Sequence, residues 1–119
     1  MKVLVDSNIL IYSIELRDWL EQQNLYISLI TKLEVLGYYK LSEKEESYLN
    51  HFMKYCTMWP IDNTVINRAI KIRQVKPMSL GDSIIAATAI NGKLPLATAN
   101  TKDFTQLTDL ELINPFEDL

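Results

Sequence analysis

Five short apolar runs, each parted from the next by a stretch with helical spacing, restrict this chain more than any other feature. Lys2–Asp6 (KVLVD), Leu25–Leu29 (LYISL), Thr57–Ile61, Leu94–Ala99 and a weaker Glu111–Ile113 read as strands. Between them, Asn8–Glu15, Leu16–Gln23 and a segment from Lys32 to Lys40 read as helices, as do a stretch opened by Ser42 and one capped by Asp62 and ended by Pro77. Ser42 and Glu45 have the spacing of a capping box, Pro60 suits an edge strand, and Gly92 is expected to stop the helix before it. That helix, DSIIAATAIN, is apolar on nearly every side, the pattern of a helix buried between layers. Strands alternating with helices predict an α/β fold: a mostly parallel sheet of about five strands, covered on both faces.

Four carboxylates fall where apolar runs give way to helical patterns: Asp6 in VLVDSN, Glu34 in ISLITKLE, Asp82 in MSLGDSIIAA and Asp103 in LATANTKDF. In such folds these junctions lie at the carboxyl ends of strands, where ligands bind. Four carboxylates converging there would repel one another without a cation, so the pattern reads as a divalent-metal site. Helix capping is the competing account. Thr31-Lys-Leu-Glu34 and Ser79-Leu-Gly-Asp82 have capping spacing, and Asn100-Thr-Lys-Asp103 approximates it. Asp6 fits capping least well, because it ends an apolar strand with no basic residue near it in sequence.

The 119 residues suffice for one domain, 1–119, and are too few for two. No apolar run approaches the roughly 20 residues of a membrane span, and no leader pattern is visible. The lone Cys56 rules out an internal disulfide and suits a reducing cytoplasm. The single His51 leaves no histidine-rich zinc site. A net charge of −3 argues against holding DNA by bulk electrostatics. The one basic concentration, Arg68, Lys71, Arg73 and Lys76, is either a solvated helix face or an edge that contacts phosphates.

Other α/β chemistries lack their residues. Three glycines, none suitably spaced, exclude a P-loop and a dinucleotide fingerprint. An aspartyl phosphatase wants a second acid two residues after the first, and Asp6 is followed by Ser7 and Asn8. The third strand, CTMWPI, ends without the aspartate that a phospho-receiver domain needs.

With VDSNIL first, Glu34 in TKLEVLGY, then GDSIIAATA and LATANTKDF, the chain resembles the PIN-domain nucleases over essentially its whole length. In particular it resembles the VapC-type toxins of toxin–antitoxin modules. It departs in being short between Asp6 and Glu34, and in carrying Gly81 where the family usually has proline. The resemblance implies a three-layer α/β/α sandwich and an acidic pocket of Asp6, Glu34, Asp82 and Asp103 that holds Mg²⁺ or Mn²⁺. Asn8, Thr98 and Asn100 would support that pocket. It further implies an endoribonuclease that hydrolyses RNA phosphodiester bonds with metal-activated water and is held in check by a cognate antitoxin. The alternatives are a non-catalytic PIN-like binding module and an RNA-processing nuclease outside toxin–antitoxin systems. A homodimer is expected, partly from the resemblance and partly from Trp19, Tyr38, Tyr39, Phe52, Tyr55 and Trp59, many large rings for a small interior.

Overall fold

The computed structural model describes residues 1–117. Five strands, β1 (Lys2–Val5), β2 (Asn24–Ser28), β3 (Thr57–Trp59), β4 (Leu96–Ala97) and β5 (Leu112–Ile113), form one sheet in the order β3-β2-β1-β4-β5. Every neighbouring pair is parallel, and Leu4 at the centre stands opposite Tyr26 on one side and Leu96 on the other. From β1 the chain builds outward through β2 to β3. It then crosses back to lay β4 on the other flank of β1. This reversal opens a crevice at the carboxyl end of β1, where parallel sheets bind ligands. Asp6 is the next residue.

Alternation along β1 divides the core. Leu4 faces a layer made by α5 (Asn63–Val75) and α6 (Leu80–Gly92); Val3 and Val5 face one made by α1 (Ser7–Ile11), α2 (Arg17–Glu21) and α4 (Glu43–Met53). α3 (Leu29–Leu36) contributes to both, with Ile30 against the first layer and Val35 in the second. The result is the expected three-layer sandwich. α6 is the helix buried between layers: Ser83 through Ala89 are all buried. Its two buried hydroxyls bond back to their own helix, Ser83 to the Leu80 carbonyl at 2.7 Å and Thr88 to that of Ile84 at 2.7 Å.

Several boundaries differ from expectation, each for a local reason. α3 begins at Leu29 rather than Lys32, because Ser28 ends β2 and accepts the Ile30 amide at 3.2 Å. Thr31 therefore lies inside the helix, and Glu34 is a mid-helix residue rather than the partner of a capping box. The long early helices shrink to five residues each, with Ser13 between them buried and bonded to the Tyr48 hydroxyl at 2.9 Å. Gly92 is the last residue of α6 and does not turn the chain. Lys93 takes the left-handed conformation, φ 53°, and the Leu94 amide returns to the Ala89 carbonyl. Gly92 serves packing instead: a Cβ there would lie 2.9 Å from the Trp59 ring. The segment around Asp103 forms a 3-10 turn, Thr101–Asp103, without a side-chain cap from Asn100. The Ser42–Glu45 capping box and the edge position of β3 are both present. Among the six rings, Trp19, Phe52 and Trp59 pack against the cores, while Tyr38, Tyr39 and Tyr55 are exposed. Among the described residues, no helix is long and apolar enough to cross a membrane.

Candidate active site

Asp6 leaves β1 at its carboxyl end and caps α1, so its side chain is buried as soon as the strand stops. One carboxylate oxygen accepts the Ser7 amide at 2.8 Å; the other accepts the Thr98 hydroxyl at 2.9 Å and the Asn8 amide group at 3.3 Å. Thr98 follows β4 and is fully buried. Its hydroxyl, having donated to Asp6, accepts from Asn8 Nδ2 at 3.2 Å and from the Asn100 amide at 3.0 Å. Asn8 also accepts the Ala99 amide at 3.1 Å. The expected supporting residues thus appear in a single network joining the ends of β1 and β4. Asn100 joins through its backbone alone.

The other acids arrive from three elements. Asp82 stands in the first turn of α6, its amide held by the Ser79 hydroxyl at 3.1 Å. Capping and clustering therefore coexist at this residue. Glu34 comes from α3. As a residue it is exposed, but its carboxyl end folds inward over Gly81, where a Cβ would lie 2.8 Å from Oε2. Asp103 ends the 3-10 turn and is exposed.

Electrostatics show which acids share a field. Burial raises the Asp6 carboxyl above the usual range, opposed by the Thr98 and Ser7 hydrogen bonds and reinforced by Asp82. Burial also raises Glu34, with Asp6 and Asp82 adding to it. Asp82 is raised by burial, then by Asp103, while the Ser79 hydrogen bond and Lys76 pull it down. Asp6, Glu34 and Asp82 therefore form a mutually repelling trio, and Asp103 joins through Asp82.

Three of the four basic residues on and after α5 have protein partners. Arg68 donates to Asn91 Oδ1 at 3.1 Å, Arg73 to the Met78 carbonyl at 3.2 Å and Lys76 to the Asp103 carbonyl at 2.9 Å. Lys71 has no such acceptor among the described residues. The sequence pattern shows where these charges cluster but not what they hold. It also missed Lys76 as the cation beside Asp82 and Gly81 as the seat of Glu34. The signal for Gly81 was present: a glycine in the first turn of a helix otherwise rich in alanine and isoleucine.

Among the described residues, no three acidic, histidine or cysteine side chains are already drawn together tightly enough to hold an ion. The acids act on one another through space from farther than ligand distance. The donors nonetheless suit a hard divalent cation: they are all oxygens, carry excess negative charge, and have amides and hydroxyls behind them. The Thr31 hydroxyl, one helical turn before Glu34 on α3, is buried without a hydrogen-bond partner. Such an atom is expensive to leave unpaired.

The chain also matches known proteins over nearly its whole length. The PIN domain family model matches residues 3–110. Ribonuclease VapC1 of Methanocaldococcus jannaschii is 36% identical over 117 residues, spanning 93% of this chain and 85% of that protein. A toxin–antitoxin complex from Klebsiella pneumoniae contains a chain 33% identical, with a TM-score of 0.79 over 95% of this chain and 97% of that one. The DNA-bound VapBC of Salmonella typhimurium, at 20% identity and a TM-score of 0.82, covers 97% of this chain and 98% of its own and shares the fold. The 3-2-1-4-5 parallel sheet and these matches lead to one conclusion: the chain is a member of the PIN domain family, of the VapC type.

Proposed function

We propose that this protein is a metal-dependent endoribonuclease and the toxin half of a toxin–antitoxin pair, acting in the cytoplasm, with residues 1–119 folding as one domain. The observation that supports the reading is electrostatic: Asp82 raises the Asp6 carboxyl, both raise that of Glu34, and Asp103 raises that of Asp82, beside the end of β1. Asp6, Asp82 and Asp103, with Glu34, would hold Mg²⁺ or Mn²⁺. When bound, the ion would offset the charge of the scissile phosphate and make water a better nucleophile at neutral pH.

The protein's own groups do the rest. Thr98 and Asn8 fix the Asp6 carboxylate, so it need not reorganise when substrate arrives. Lys76 ties the end of α5 to the turn carrying Asp103. Lys71, exposed and without an acceptor among the described residues, is the α5 cation best placed to meet an RNA phosphate; Arg68, Arg73 and Lys76 would contact phosphates only by sharing their present donors. Exposed apolar side chains such as Ile11, Ile14, Leu33 and Leu80 leave surface for a cognate antitoxin and for a second copy of the chain.

The test is cleavage of RNA by purified protein. We expect activity with Mg²⁺, none with EDTA, and a fall of at least about 100-fold after Asp82→Asn or Asp6→Asn. Cleavage that survives EDTA and both substitutions would overturn the reading.

A further inference from the structure

Gly81 breaks a local rule. It occupies the second position of α6, a helix rich in alanine and isoleucine, and glycine is the poorest helix former after proline. No glycine among the described residues has a positive φ, so the backbone does not require one here. The space around it supplies a reason. A Cβ on residue 81 would lie 2.8 Å from Glu34 Oε2, 3.5 Å from its Cδ and 3.9 Å from Oε1. Ordinary contact begins at 3.4 Å, so any side chain at this position displaces the carboxylate by about 0.6 Å. Glu34 is flexible and can move that far at little cost to the fold. A hard cation with ligand distances near 2.0–2.1 Å tolerates far less.

We propose that Gly81 is a positioning residue: by presenting bare backbone on the first turn of α6, it seats the Glu34 carboxylate beside Asp82 and admits it to the cation site. This rests on the metal-dependent reading above and says which residue sets the reach of its fourth acid.

A double-mutant cycle tests the idea with Mg²⁺ as the probe and binding, not cleavage, as the readout. The dissociation constant is measured by titration calorimetry for wild type, Gly81→Ala, Glu34→Ala and the double variant, alongside urea unfolding without metal. Gly81→Ala should weaken Mg²⁺ binding about 10-fold, the scale for disturbing a group that orients a ligand. In the Glu34→Ala background it should change the affinity less than 2-fold, because no carboxylate remains to be displaced. There alanine should also raise the urea midpoint, its helix propensity now unopposed. Equal Mg²⁺ affinity of wild type and Gly81→Ala overturns this inference alone. An equal loss in both backgrounds also overturns it, since alanine would then act through the fold rather than through Glu34. A wild-type protein with no Mg²⁺ response overturns the metal reading and this inference with it.

Discussion

Thr98→Val removes one oxygen and little volume, so its effect measures the hydroxyl at the centre of the site. That oxygen donates to Asp6 at 2.9 Å and accepts from Asn8 at 3.2 Å and from the Asn100 amide at 3.0 Å, all from a fully buried residue. A hydrogen bond to a charged group contributes about 1.5–3 kcal/mol, and an unpaired polar group adds to the loss. Asn100 is exposed, so water can partly replace its lost acceptor. We expect the metal-free protein to lose about 2–4 kcal/mol at neutral pH, or about 10 °C in Tm for a chain of this size. The loss should depend on pH. The Thr98 bond pulls down an Asp6 carboxyl that burial pushes up, so the variant's folded-state pKa rises further above the unfolded value. A raised carboxyl pKa favours folding at low pH and costs stability as pH rises through it. The deficit is therefore small where Asp6 is protonated in both proteins and reaches full size above the variant's pKa. Urea unfolding in EDTA at pH 4 and pH 7.5 measures both limits. Thr98→Ser, which keeps the oxygen, should lose only about 1 kcal/mol at either pH. A valine variant that matches serine at both pH values would refute the reasoning.

Removing metal should matter most at neutral pH. Mg²⁺ at 100 times its dissociation constant should stabilise the protein by about 2.7 kcal/mol at pH 7.5. It should do so less as the pH is lowered and the raised carboxyls of Asp6, Glu34 and Asp82 take up protons; thermal melts with Mg²⁺ and with EDTA over a pH series check this. Cys56, its thiol pushed up to about 11 by burial, should react with a disulfide reagent at pH 8 at least ~100-fold more slowly in the folded protein than in urea. Equal rates would contradict its burial.

Asp6 and Asp82 stood out because one follows an apolar strand and the other lies in the first turn of a helix, where a carboxylate needs a reason beyond solubility, whereas Glu34 inside α3 carries no such signal. The parallel sheet followed from the alternation, and Pro60 marked the edge strand. What stayed hidden depended on choices between equivalent local signals. Ser28 and Thr31 both could open α3, and Ser28, which accepts the Ile30 amide, does so, while Thr31 is buried within the helix. Gly92 and Lys93 compete to end α6, and the Trp59 ring takes the glycine for packing. The partners of Arg68 and Lys76 lie 23 and 27 residues away, beyond any sequence window that reads helical faces.

The Asp6–Thr98 hydrogen bond spans 92 residues, and this separation has a consequence during synthesis. β1 emerges from the ribosome first and is the middle strand of the finished sheet, yet its second neighbour, β4, follows much later. Until residues 96–98 are made, β4 cannot cover that flank of β1, Asp6 lacks its Thr98 hydrogen bond, and Asp103 does not yet exist. A chain stalled before residue 96 therefore carries its first acid without the network that joins the ends of β1 and β4, because contacts so far apart in sequence can form only late.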